Sequence, residues 1–134
     1  MEDVIELLRE RNEPVPVPLE LPDEDLLVVI EEELYLSLPD DYREFLLTVS
    51  DVVCGSLEPA TVTDSRSHTY LPEMAAEAWN RGLPRHYIPI CEANDGYYCI
   101  ADEGAVYFWD ESGPSEEEEW NSIWLWAREV WLNS

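Results

Sequence analysis

The chain has 134 residues and a formal net charge of −24 at pH 7, because 31 acidic side chains face only seven cations, all of them Arg. Nucleic acids and anionic membranes both need cations from a protein that binds them, so this charge excludes both as partners. A basic partner is instead attracted at long range. The hydrophobic fraction of 46% is enough for one buried core, and we expect a single domain over residues 1–134.

The negative charge is concentrated in the two ends of the chain. Residues 1–45 hold 15 acids and 3 Arg (−12), residues 46–90 hold 5 and 3 (−2), and residues 91–134 hold 11 and 1 (−10). We therefore expect a basic partner to contact the two ends. The same charge also favours solubility without any partner, so composition leaves both interpretations open.

The N-terminus and the cysteine count indicate the compartment. Met1-Glu2-Asp3 is acidic, no apolar signal-peptide region follows, and the longest apolar run, Leu26 to Ile30, is too short to cross a bilayer. Three Cys do not make a disulfide framework. We expect a cytoplasmic protein without membrane contact.

Hydrophobic spacing predicts helices in the first third of the chain. A helix is predicted over residues 1–12, and the prolines that follow predict an extended connector over 13–22. Acidic residues favour the start of a second helix over 23–35. Pro39 begins a third helix, which we expect to pair with the second in antiparallel fashion.

The middle of the chain gives a weaker signal. Residues 51–69 have no predicted register, although 52–54 and 60–63 are compatible with short strands. Pro72 then favours the start of a helix, and Gly82 is well placed to end it.

The last third changes from a helical to a β-type period. Three β-type runs over 87–109, separated by the turn signals Asn94-Asp95-Gly96 and Asp102-Glu103-Gly104, predict a three-stranded antiparallel meander. Ser115 precedes Glu118 by three residues, which predicts a capping box and a helix beginning in the run Glu116–Glu119. Helices followed by a meander and a closing helix predict an α+β fold.

Aromatic residues are frequent in this last third. Trp120, Trp124 and Trp131 recur at helical spacing, which predicts that they are core residues. Trp126 falls off that stripe, and an exposed Trp there is a candidate anchor for a partner. Aromatic residues also alternate along the meander up to Trp109, so one set faces away from the helices. If exposed beside carboxylates, that set suits an Arg- or Lys-rich partner.

We expect no catalytic site, cofactor or metal. His68 and His86 form no HExxH-type pair, and the sequence offers no four zinc ligands at usable spacing. His86 and Cys91 are five residues apart on one predicted strand, which places them on opposite faces and disfavours a nucleophilic pair. Cys91 and Cys99 are opposite each other if the hairpin loop has three residues and not if it has two. A redox or metal role for these two therefore stays open beside a structural one.

Several segments in order resemble the SUKH superfamily, which includes the yeast cell-wall glucan-synthesis regulator. Leu38–Leu47 (LPDDYREFLL) is similar to that family's LP-x-D/E-Y-x-x-F-L helix. Three further segments resemble the family's acidic helix, its IPI hairpin and the strand after that hairpin. They are IEEEL over 30–34, YIPI with DGYYCI over 87–100, and VYFWD over 106–110. The resemblance spans residues 22–132, and residues 51–70 match poorly.

The resemblance implies a SUKH-like core over 23–132 and a non-enzymatic, protein-binding function. Bacterial members are regarded as immunity proteins that neutralise secreted toxins, often nucleases, whose basic clefts an acidic surface can occupy. The alternative is a regulatory or scaffolding module like the eukaryotic members. The candidate partner-contacting residues are Glu31, Glu32, Glu33, Asp102, Glu103, Trp109, Asp110, Glu111 and Trp126. The identity of the partner and the oligomeric state are not predicted.

Overall fold

Four helices form the first part of the structure, a computed structural model that describes residues 2–16, 20–93 and 95–134, without the side chains of residues 2, 3 and 115–118. The helices are α1 (Glu2–Glu10), α2 (Glu24–Leu34), α3 (Asp40–Val49) and α4 (Leu71–Arg81). Each lies where the sequence predicts it. The predicted connector has no regular structure at 13–16 and 20–22, and its residues 17–19 lie outside the described residues.

The helices begin and end at residues that favour helix ends. The Asp23 side chain caps α2 by accepting from the backbone N–H of Leu26 at 2.8 Å. Gly82 ends α4 with a φ of 117°, and its N–H donates to the carbonyls of Ala78 and Trp79. Such a left-handed residue at the end of a helix favours Gly, which has no Cβ.

A four-stranded antiparallel sheet follows, with strand order β1-β2-β3-β4. The strands are β1 (Ile88–Ala93), β2 (Gly96–Ile100), β3 (Val106–Asp110) and β4 (Gly113–Trp120). The first three strands confirm the predicted meander. Together with the helices, they confirm the predicted fold, a single α+β domain.

The fourth strand corrects the predicted capping box at Ser115 and Glu118. Gly113 has a φ of 108° and turns the chain back, so that the acidic run pairs with β3, with Glu119 opposite Tyr107. The helix begins only afterwards. Ser122 is its cap, and its side chain accepts from the N–H of Leu125. A run of Glu on an edge strand also discourages pairing with another chain.

The C-terminal helix corrects the expectation for Trp126. It consists of α5 (Ile123–Trp126) and a π-helical turn over Ala127–Trp131. Trp124 packs on Phe45 of α3 at 5.6 Å, so the helix is covered by α3 on one side and by the sheet on another, and a residue off the predicted stripe is buried as well. Trp126 points inward with 0% exposure, 5.4 Å from the Tyr98 ring and 6.4 Å from that of Trp131.

Both faces of the sheet are covered by other parts of the protein. The aromatic residues that alternate along the meander therefore do not form the exposed strip that would suit an Arg- or Lys-rich partner. On one face Tyr97 lies opposite Trp109, and Arg81 at the end of α4 is 5.4 Å from the Tyr97 ring. Trp109 is 5% exposed. On the other face Tyr98 packs against the C-terminal Trp126. The expectation that Trp109 contacts a partner is therefore corrected.

Segment 51–70 forms single bridges instead of the two short strands. Pro59 bridges to Cys91 in β1, and Thr61 bridges to Tyr70. The Trp131 indole N–H, from the far end of the chain, donates to the Cys54 carbonyl at 3.1 Å. These long-range contacts fix a segment whose local sequence has no clear period.

The three cysteines are free and buried. Ala93 pairs with Gly96, so the β1–β2 loop has two residues and Cys91 lies opposite Tyr98, while an irregularity between Pro89 and Cys91 places Pro89 opposite Cys99. Cys91 and Cys99 are therefore not opposite each other. Burial raises the pKa of each of these two thiols to about 12.

We predict that Trp126→Ala lowers the free energy of unfolding by about 3–5 kcal/mol, because it leaves a cavity against Tyr98 and Trp131. The neighbouring Leu125, which lies on the exposed side, is the control, and Leu125→Ala changes the free energy by less than about 1 kcal/mol. Urea unfolding followed by circular dichroism measures both. Equal small effects contradict the burial of Trp126.

We predict that Cys91 and Cys99 resist thiol reagents until the protein unfolds. A pKa of about 12 leaves about one thiolate in ten thousand at pH 8, against about one in ten for an ordinary thiol with a pKa near 9. Because the folded pKa is the higher one, unfolding releases these protons above pH 9. The free energy of unfolding therefore falls as the pH rises from 9 to 12.

Ellman's reagent, added at pH 8 with and without 6 M guanidinium, provides the measurement. Rapid modification of both thiols in the folded protein contradicts the prediction.

Candidate protein-interaction surface

Helix α2 ends on Tyr35 in an unusual conformation. Its backbone is left-handed (φ 57°, ψ 32°), and its N–H donates to the Glu31 carbonyl. Among the described residues it is the one non-glycine residue with a positive φ. This position normally takes Gly or Asn, and a side chain with a Cβ costs about 1–2 kcal/mol there.

Burial does not offset this cost, since 85% of Tyr35 is exposed. The ring therefore adds little to the core, while the backbone conformation disfavours it. Costly conformations of this kind cluster at functional sites. Tyr is also one of the residue types that dominate binding energy at protein interfaces.

Tyr35 lies where α2, α4 and the β2–β3 turn meet. Three shallow hollows surround the ring and all include Tyr35. The first contains Val28 and Glu32, the second contains Glu33 and Trp79, and the third contains Asp102. We call the exposed part of this region, formed by Val28, Glu32, Glu33, Tyr35 and Asp102, the Tyr35 surface.

Glu31 holds the turn that displays Tyr35. One carboxylate oxygen accepts from Arg43 at 2.7 Å, and the other accepts from the backbone N–H of Leu38 at 2.7 Å. Arg43 also pairs with Glu24 at 2.6 Å, and this bond, followed by that to Glu31, raises the pKa of the guanidinium. Glu31 therefore joins α2 to α3 across the Tyr35 turn, and its carboxylate is already engaged.

The other predicted acids near Tyr35 face solvent. Glu32 and Glu33 are exposed on α2, and Glu33 accepts from the Tyr70 hydroxyl at 3.2 Å. Burial, and then the charge of Glu33, raise the pKa of that hydroxyl. Asp102 and Glu103 are exposed in the β2–β3 turn, and Asp102 lines a hollow together with Tyr35. The structure thus brings acids from two distant segments around one aromatic ring.

Asp110 and Glu111 belong to a different part of the surface. They lie at the opposite end of the five-residue strand β3 from Asp102, a separation of about 15 Å at strand spacing. Asp110 accepts from the Ser112 N–H at 2.8 Å, and Glu111 pairs with Arg81 at 3.3 Å. The predicted acids therefore do not form one continuous patch.

Two of the predicted contact residues are buried inside the protein, and the sequence does not single out Tyr35. The burial of Trp109 and Trp126 removes both from the surface. The sequence places Tyr35 at the end of the predicted helix over 23–35 and gives it no role. The signal available in the sequence was that no Gly or Asn follows α2 at Leu34-Tyr35-Leu36, although helices commonly end on one.

Most of the positive charge is engaged within the protein. Five of the seven Arg side chains contact other groups. The contacts are Arg9 with Asp51, Arg11 with the Leu132 carbonyl, Arg43 with Glu24 and Glu31, Arg81 with Glu111, and Arg85 over the Trp79 ring. Among the described residues, no Arg forms an ion pair with Glu32, Glu33 or Asp102, although Arg85 lines one of the hollows beside Tyr35.

The histidines give no sign of a reactive centre. His68 is exposed and pairs with Glu58 at 2.6 Å, and the exposed His86 lies against the Tyr87 ring before β1 begins. No group of three or more His, Cys, Asp or Glu among the described residues is arranged to hold a metal ion. In the same part of the chain, no helix has the length and apolar character that a membrane span requires.

Comparison with known proteins places this fold in a family. The family model SUKH_5, described as SMI1-KNR4 cell-wall, matches residues 1–132. A crystal structure of a protein from Pseudomonas syringae pv. tomato is 61% identical, with a TM-score of 0.97 and 100% of both chains covered. No curated protein matches the chain. Because the family model covers nearly the whole sequence, the chain belongs to the SUKH family of SMI1-KNR4 cell-wall proteins.

Proposed function

We propose that this protein is a non-enzymatic binding domain that uses the Tyr35 surface to bind a basic protein. Its partner is a secreted toxin such as a nuclease, which it neutralises as an immunity protein. The observation that carries the proposal is Tyr35 itself, an exposed ring held in a costly backbone conformation beside exposed carboxylates. The resemblance to bacterial SUKH immunity proteins supports the same function.

The Tyr35 surface offers two kinds of contact to a basic partner. The Tyr35 ring provides a flat face for an Arg or Lys side chain, through cation–π attraction. Glu32, Glu33 and Asp102 provide acceptors for charge-assisted hydrogen bonds to the same groups. An Arg-rich surface satisfies both requirements at once.

The surface is organised before the partner arrives. Glu31, through Arg43 and the Leu38 N–H, fixes the turn that carries Tyr35. The ring therefore loses less backbone freedom on binding than a residue in a mobile loop, which favours affinity.

The net charge of −24 supports rapid encounter with a basic toxin. Oppositely charged proteins associate up to several orders of magnitude faster at low salt, and the effect falls as salt screens the charges. A nuclease needs a basic cleft to hold the phosphates of its substrate. An acidic surface seated there competes with the substrate directly, without chemistry.

A second candidate function is a regulatory or scaffolding module that binds a neutral partner. The observation that favours it is the exposure of two adjacent apolar residues on α2, Val28 and Val29, each 47% exposed. A partner that buries these side chains gains affinity from apolar contact, which salt does not screen. Salt dependence of binding therefore separates the two functions.

We predict that Tyr35→Gly stabilises the fold and weakens binding. Gly relieves the left-handed backbone at little loss of burial, so the free energy of unfolding rises by about 0.5–1 kcal/mol. Loss of the ring weakens binding to the cognate toxin about 30-fold, as expected for a hot-spot residue. Urea unfolding and calorimetric titration against the toxin encoded beside this gene measure the two effects.

Tyr35→Ala and Tyr35→Phe are the controls for that variant. Tyr35→Ala keeps the backbone cost and loses the ring, so binding weakens without any gain in stability. Tyr35→Phe keeps the ring and stays close to wild type in both measurements. Unchanged binding by Tyr35→Gly contradicts the central role of Tyr35.

We predict that reversing Glu32 and Glu33 to Lys lowers the association rate for the toxin at least about tenfold at low salt. The matched control reverses Asp110 and Glu111 to Lys, which changes the net charge equally but about 15 Å from Asp102 along β3. Stopped-flow association at several salt concentrations separates local from global charge. Equal losses in the two variants contradict the assigned surface, and insensitivity of both to salt favours the neutral-partner function.

A further inference from the structure

A second candidate site lies in the segment that has no regular strands. It is a pocket of about 230 Å³ between the end of α3, segment 52–69 and Trp131, and we call it the Trp131 pocket. It shares no lining residue with the three hollows around Tyr35. Any ligand that it takes is therefore independent of the function proposed for the Tyr35 surface.

Most of the lining is apolar. Val15 from the proline-rich connector, Val52 and Leu57 contribute aliphatic groups, and Trp131 contributes its indole ring. Trp131 is 1% exposed and its indole N–H already donates to the Cys54 carbonyl at 3.1 Å, so it forms a buried wall of the pocket and offers a ligand no hydrogen bond. This part of the pocket suits an apolar body.

One side of the pocket carries a chain of three hydroxyls. Thr69 Oγ1 lies 2.8 Å from Thr61 Oγ1 and 2.8 Å from Ser67 Oγ, and both threonines are buried. Ser67 Oγ also accepts from the Thr69 backbone N–H at 3.2 Å.

The three hydroxyls have one more proton than the hydrogen bonds between them use. Three hydroxyls carry three protons, and the two bonds between them use two. One O–H, on Thr61, Ser67 or Thr69, is therefore not used between the three hydroxyls and can donate to an acceptor atom of a ligand.

The charges around the pocket select against anions, and the described lining holds no unpaired acid that would fix a cation. Glu58 is the one acid in the lining, and it is paired with His68 at 2.6 Å, so it does not demand a cation. An anion is repelled by the net charge of −24, and no Arg lines the pocket. An uncharged ligand fits both conditions.

We propose that the Trp131 pocket binds a small uncharged molecule that has an apolar body and one hydrogen-bond acceptor. The body packs on the aliphatic residues, next to the buried Trp131 ring, and the acceptor receives the spare hydroxyl proton. A volume of about 230 Å³ is larger than the ~150 Å³ that holds benzene and smaller than the ~300 Å³ or more typical of drug-sized ligands. The ligand is thus of the size of a substituted benzene.

Three matched probes test the assignment. Acetophenone has the apolar body and a carbonyl acceptor, ethylbenzene has the body alone, and benzoate has the body with a negative charge. Titrations of the full chain are followed by the NMR signal of the Trp131 indole N–H, identified with Trp131→Phe. We expect acetophenone to bind about fivefold more tightly than ethylbenzene, which is the effect of one neutral hydrogen bond, and benzoate not to bind.

A variant separates the hydroxyls from the shape of the pocket. Thr61→Val, Thr69→Val and Ser67→Ala together remove all three hydroxyls at nearly constant volume, so ethylbenzene still binds and the fivefold preference for acetophenone is lost. Thr63→Val, outside the pocket, keeps the preference. The proposal is overturned if neither neutral probe shifts the Trp131 signal, if the two bind equally to the wild type, or if benzoate binds as tightly as acetophenone.

Discussion

The sheet carries large aromatic residues on both of its faces, and the rest of the fold follows from the need to cover both. The register places Tyr97 opposite Trp109 on one face and Tyr98 opposite Phe108 on the other. Helix α4 ends over the first face, where Arg81 stacks on Tyr97. The C-terminal helix closes the second face. Apolar area of this amount, left in water on either side, outweighs the net stability of a small domain.

Sequence reasoning succeeded where one local period continues through an element. The α2 and α3 stripes and the hairpin turns are of this kind, and they lie where predicted. It failed for β4 and Trp126, because their conformation depends on distant partners. The acidic run satisfies local rules for a helix start, yet pairing with β3 outweighs that preference. Trp126 lies off the helical stripe but packs on Tyr98 of the sheet, while Trp124 packs on Phe45 of α3, so two sides of the helix are buried.

The candidate surfaces show the same division. The sequence shows that α2 and the β2–β3 turn carry acidic residues, but only the tertiary structure groups them around Tyr35. In the sequence Glu31 does not differ from its neighbours Glu32 and Glu33. Only the structure shows that its carboxylate accepts hydrogen bonds from Arg43 and the Leu38 N–H. The Trp131 pocket joins Val15, Thr61 and Trp131, which are far apart in the chain. Neither spacing nor composition relates such residues.

The two candidate sites share one physical property, since each departs from what stability alone favours. Gly at position 35 ends α2 at lower cost than an exposed Tyr, and larger side chains around Trp131 fill the pocket and recover dispersion contacts. Folding does not select for a left-handed Tyr or for a spare hydroxyl proton in an apolar pocket. A domain stabilised by a sheet packed on both faces tolerates such costs, because a few kcal/mol lost at its surface leaves the core intact. Binding, as proposed for each site, explains why both costs persist.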